Sequence, residues 1–141
     1  MPNSHHLIIA LALVSVACSS SLDLTDPRVI ALELRGTWSR SFDAPGNSTV
    51  FHLSVRDSTI TGDGTFSDEV GPSGTLSVTG QIATGQPAGT IVKIDFAQSD
   101  GFVGHFTGTL DGTDSLDGIV WYTSATITAD PVTATFRRTS H

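Results

Sequence analysis

The chain has 141 residues, with 14 Asp and Glu against 7 Lys and Arg, a net charge of −7 and one cysteine. That length predicts one domain with a modest core, and a single cysteine excludes any disulfide within the chain. The acidic balance speaks against nucleic acid as a partner, and against polybasic attachment to anionic lipid, because both depend on Lys and Arg meeting phosphates. Only 15% of residues are charged, Lys occurs once and Gly 14 times, a composition of strands and turns more than of helices.

Residues 7–17 (LIIALALVSVA) form an uncharged apolar run. It is too short to span a bilayer as a helix and has the length of a signal-peptide core. It leads through Ser15-Val16-Ala17 directly to Cys18. This arrangement resembles the lipobox of bacterial lipoproteins. The resemblance implies cleavage before Cys18, diacylglycerol on its thiol and removal of residues 1–17 as a signal peptide. Ser19 after the cysteine, where Asp is absent, implies an outer-membrane lipoprotein facing the periplasm or the surface. The run Ser19-Ser20-Ser21 suits a flexible tether. Two other readings stay open. Ser15 and Ala17 also fit a secretory signal cut after Ala17, and an uncleaved chain would keep Cys18 as a structural residue. Acylation has a physical advantage, since it removes an exposed thiol from an oxidising compartment.

Residues 18–33 carry the attachment cysteine, the tether and one predicted helical turn. Asp26 is placed to cap it and Pro27 suits the first helical position. Residues 34–138 then read as a β domain. Eight strands are predicted, at 34–42, 49–56, 59–66, 74–82, 90–97, 102–110, 115–123 and 132–138. Between them lie turn signals rich in Gly, Pro, Asn and Asp, such as Ala44-Pro45-Gly46-Asn47, Gly85-Gln86-Pro87 and Asp111-Gly112-Thr113-Asp114.

Within most strands apolar residues alternate with polar ones, as a sheet with one buried face requires. Phe51, Leu53 and Val55 share a face, as do Val92, Ile94 and Phe96, and Phe102, Phe106 and Leu110. The seventh strand is ambiguous, with Leu116, Val120 and Tyr122 on one side and Ile119 and Trp121 on the other. Glycines recur on the apolar face at 62, 64, 80, 104, 108 and 118. Glycine inside a strand marks sharp bending. The expectation is therefore an all-β fold, an eight-stranded antiparallel meander closed into a small barrel, with a β-sandwich as the alternative. Closure also removes exposed strand edges. It requires the first and last strands to pair, so that Trp38 and Phe136 look into one core.

Gly36-Thr37-Trp38 follows the helical turn and opens the first strand, and Arg137-Arg138 ends the last. This resembles the Gly-x-Trp start of the lipocalin and avidin group, the calycins. The resemblance implies that an Arg from the last strand packs over Trp38, with Arg138 favoured by strand parity. It also implies that the turn before Gly36 closes one end of the barrel. A small barrel is either filled by its own side chains or holds one small ligand.

Catalytic signals are few. His52 and His105 are predicted on polar faces, no spacing brings three metal ligands together, and the only Glu residues are 33 and 69. The segment 111–114 with Asp117 reads as a hairpin turn, since it lacks most calcium ligands. No nucleophile elbow or phosphate loop is present. The sequence therefore implies no catalytic residue, no metal and no cofactor. The leading expectation is a monomeric, membrane-anchored binding module for a small apolar or amphipathic ligand, lined by Trp38, Phe102, Phe106, Trp121 and Tyr122. A filled barrel that contacts another envelope protein is the second reading. A barrel-type isomerase or cyclase is the third, and would need Asp95, Asp117 or His105 to point inward.

Overall fold

The computed structural model describes residues 22–41, 47–85 and 89–141. Residues 1–17, Cys18 and the serine run, together with Phe42 and the turn signals at 44–46 and 86–87, lie outside the described residues. One helix, α1 (Pro27–Glu33), precedes eight strands: β1 (Gly36–Ser41), β2 (Ser48–Arg56), β3 (Thr59–Ser67), β4 (Gly74–Gly85), β5 (Gly89–Gln98), β6 (Val103–Asp111), β7 (Ser115–Thr123) and β8 (Val132–Ser140).

The strands pair in sequence order, all antiparallel, and β1 also pairs with β8, so the sheet closes into a barrel. Trp38 stands opposite Arg138, and Ser39 opposite Arg137. This excludes the sandwich. The first strand starts two residues later than the sequence predicts. Leu34 belongs to the helix terminus, where its N–H reaches the Ile30 carbonyl at 2.8 Å.

The alternation seen in the sequence becomes inside and outside. In β2, Phe51, Leu53 and Val55 are buried while His52, Ser54 and Arg56 face solvent. In β7 the inward set is Leu116 and Val120, with Tyr122 half-buried beyond them; Trp121 and Ile119 point out. Large side chains fill the interior. Trp38, Phe51, Phe96, Phe106 and Phe136 are each at most 1% exposed. Phe51 stacks on Phe136 at 4.8 Å between centroids and touches Phe96 at 5.0 Å, and Phe106 meets Phe136 edge-on at 5.4 Å. Such pairs contribute beyond their buried area. Space for Phe96 depends on Gly104, where a Cβ would sit 2.0 Å from its ring.

The helix closes one end. Asp26 caps it by accepting from the Arg28 N–H at 2.8 Å, and Pro27 occupies its first turn. Seven residues are too few to hold a helix alone. Ile30, Ala31 and Leu34 are buried over the barrel's end, and that packing holds it. Two polar contacts reinforce the lid. The Trp38 indole N–H donates to the Leu34 carbonyl at 2.9 Å, and Arg138 reaches Glu33 at 3.3 Å. The Arg138 guanidinium carbon lies 4.9 Å from the Trp38 ring centroid. Burial pulls this guanidinium below its ordinary pKa, and the charges of Glu33 and Asp114 act in the opposite direction.

Gly36 explains why the strand opens on glycine. Its φ is +117°, and a Cβ there would meet the Ser140 carbonyl oxygen at 2.3 Å. A side chain is excluded both by the backbone conformation and by the close approach of β8.

Candidate ligand site at the barrel mouth

An antiparallel meander places alternate connections at the same end. The β2–β3 and β6–β7 turns lie at the helix end; the β1–β2, β3–β4, β5–β6 and β7–β8 connections lie at the other. That far end is the mouth. A cleft of about 310 Å³ opens there. This is at the lower limit of small-molecule sites, which run from about 300 to 1,000 Å³.

Its floor is aromatic. Phe66, Phe102 and Tyr122 line it. Each comes from an inward position at the upper end of its strand or just beyond it. Phe96 stands beneath Tyr122, edge-on at 5.7 Å, and continues the filled lumen downward. Ser48, Thr49, Ser67 and Gln98 supply polar wall atoms, and Ser48 and Ser67 hydrogen-bond each other at 2.9 Å. Asn47, Asp68, Pro72 and Asp100 form the rim. Burial pushes the Tyr122 phenol above its ordinary pKa; the Arg40 charge and hydrogen bonds with Thr49 and Arg40 act the other way.

The rim carboxylates are held by their own turns. Asp68 Oδ1 accepts from the Val70 N–H, and Asp100 Oδ1 accepts from the Phe102 N–H, both at 3.1 Å. Asn47 Oδ1 accepts from the Glu69 N–H at 2.6 Å, which ties the start of β2 to the β3–β4 connection.

The five aromatic residues that the sequence suggests as a lining separate in space. Phe102 and Tyr122 line the mouth cleft. Trp38 and Phe106 belong to the packed interior, at 0% and 1% exposure. Trp121 stands on the outer wall, stacked against His105 at 5.2 Å. The seventh strand places Val120 inside, so its odd neighbour must point out. Phe66, Gln98, Asp68 and Asp100 were not singled out from the sequence. They are brought together by strand register, and the one signal available beforehand was their place at strand ends that a meander gathers at one end.

A second polar cluster lies on the outer wall. His105 Nδ1 is 2.7 Å from Asp95 Oδ1, and its Nε2 is 2.9 Å from Thr123 Oγ1. Carboxylate, imidazole and hydroxyl thus form a continuous chain across β5, β6 and β7. It sits on the solvent side, with the Asp95 side chain 62% exposed. Asp117 also faces outward, where it accepts from Ser115 and Thr135. None of Asp95, His105 and Asp117 is the inward ionisable group that a barrel isomerase requires. Among the described residues, no three His, Cys, Asp or Glu side chains converge as metal ligands would. No helix among them is long and apolar enough to cross a membrane.

Neither the protein-family models nor the curated proteins compared with the chain match it. The fold defines it as a small closed β-barrel of eight antiparallel strands with a helical plug, an architecture consistent with the calycin group.

Proposed function

We propose that this chain is an envelope-anchored lipoprotein whose barrel binds a small amphipathic ligand at its mouth. The mouth cleft carries the binding half of this reading. Large apolar side chains occupy the lumen, which leaves the space above Phe66, Phe102 and Tyr122 for a ligand. That space combines an aromatic floor with convergent polar groups, the composition usual for small-molecule sites. The anchoring half rests on the sequence, where the apolar run 7–17 ends at Cys18. Placement at the outer membrane, facing the periplasm or the surface, follows from the same resemblance.

The filled lumen supports a second reading, an interaction lipoprotein without a small-molecule ligand. Ile119, on the outer face of β7 that also carries Trp121, is 42% exposed, and Ile127 in the β7–β8 connection is 54% exposed. An apolar surface of this kind favours a protein contact.

Native mass spectrometry of the protein extracted from its own membrane tests both halves. The expected spectrum shows an N-terminal acyl mass at Cys18 and a retained small molecule. Cys18→Ser should release the protein from the membrane fraction. A variant that stays bound would overturn the anchor, and a ligand-free protein with a stoichiometric envelope partner would favour the second reading.

A further inference from the structure

We infer that the mouth selects a cationic amphiphile, a small amine with an aromatic or short apolar body. This rests on the mouth being the binding site, as proposed above. Charge is unevenly distributed along the barrel. Arg28 and Arg35 flank or belong to the helical plug, while Arg56, Arg137 and Arg138 lie toward the helix end of their strands. Lys93 stands in mid-strand on the outer wall, opposite Gln81 and Thr107. At the mouth, the described connections carry Asp68, Glu69, Asp100 and Asp130 and no Lys or Arg.

The one cation of a strand near this end is Arg40, on the inward face of β1 opposite Thr49. It is not part of the cleft lining. Its guanidinium donates to the Thr133 carbonyl of β8 at 3.4 Å and also hydrogen-bonds the Tyr122 phenol at the cleft floor. Among the described residues, the ionic groups that line the cleft itself are the carboxylates of Asp68 and Asp100.

Chemistry at the floor agrees with the rim. The faces of Phe66, Phe102 and Tyr122 accept the apolar body of a ligand, and aromatic faces also attract an ammonium within about 6 Å. An ammonium has only donors, and the rim offers carboxylate and amide oxygens to receive them. A ligand carboxylate would meet two like charges instead. Asp68 and Asp100 are already oriented by their backbone hydrogen bonds, so little ordering is needed when the amine arrives.

The test uses three compounds of nearly one shape: 2-phenylethylamine, 2-phenylethanol and 3-phenylpropanoate. Each is titrated into the ¹⁵N-labelled full-length protein in a non-ionic detergent, with the amides of Gln98, Asp100 and Phe102 followed by NMR. The amine should bind about tenfold more tightly than the alcohol, the worth of one charge-assisted contact, and the carboxylate should bind most weakly. Asp68→Asn with Asp100→Asn should bring the amine level with the alcohol while the spectrum keeps its dispersion. If the alcohol equals the amine in the unaltered protein, or the carboxylate binds best, the charge inference is overturned and the mouth remains a site. If none of the three moves the mouth amides, the inference is also wrong; retention of another molecule in the mass spectrum would then decide the fate of the mouth reading separately.

Discussion

Removal of the Trp38 indole tests the bond between the barrel and its helical plug. Trp38 is fully buried, donates to the Leu34 carbonyl and lies under the Arg138 guanidinium, which in turn holds Glu33 of the helix. Trp38→Ala removes one of the largest buried side chains in the barrel, and truncations of this kind cost about 3–5 kcal/mol. A domain is stable by only about 5–15 kcal/mol, so the variant should be folded but marginal. Arg138→Ala should cost less, about 1–2 kcal/mol, from the lost cation–π contact and a partly hydrated Glu33 partner. Because the two side chains touch, the double variant should be less damaged than the sum, by about 0.5 kcal/mol or more. Urea denaturation followed by far-ultraviolet circular dichroism on all four proteins measures each quantity. Hydrogen exchange adds a local readout: the Leu34 amide should lose protection in Trp38→Ala before the β4 and β5 amides do. Strict additivity, or a cost below about 1 kcal/mol for Trp38→Ala, would refute the reasoning.

Gly104→Ala should destabilise by about 1–3 kcal/mol, read as a lower urea midpoint, because the new methyl falls against the Phe96 ring. A neutral result would mean that the lumen is looser than its packing indicates. Hydrogen bonds from Thr135 and Ser115 hold the Asp117 carboxyl below its ordinary value of 3.8. Its folded pKa is therefore depressed. The stabilisation is complete above the unfolded value and is lost as pH falls below it toward the folded one. Asp117→Asn should accordingly flatten the fall in melting temperature between about pH 5 and pH 2, and parallel curves would contradict the assignment.

Much of the fold was legible in the sequence because a strand's period of two is a local property. Alternation in 49–56 and 90–97 fixed which side chains face inward, and turn residues marked the breaks between strands, although β4 runs on to Gly85 and β8 to Ser140, beyond the expected ends at 82 and 138. Inward glycines gave the curvature, since a side chain at such a bend would collide with the neighbouring strand. Asp26-Pro27 gave the helix start. Leu34 was misplaced in the first strand because an apolar residue fits a helix terminus and a strand start equally well. The choice was made by the Ile30 carbonyl, which captures its N–H.

The mouth could not be read in this way. Phe66, Asp68, Gln98, Asp100, Phe102 and Tyr122 come from β3, β5, β7 and two connections, and no local pattern links them. Nor could local pattern divide the five aromatic residues among core, mouth and outer wall. Phe106 and Phe102 share a strand face, yet one is sealed within the lumen and the other opens to the cleft, because depth along the barrel depends on register with every neighbouring strand. Sequence alone determined the strand class and most of the inward set, both properties of contiguous residues. Only the tertiary structure decided that the lumen is full, that a cleft lies at the mouth and that Asp68 and Asp100 stand on its rim. Those features arise from closure, which brings residues far apart in the chain to the same height of the barrel.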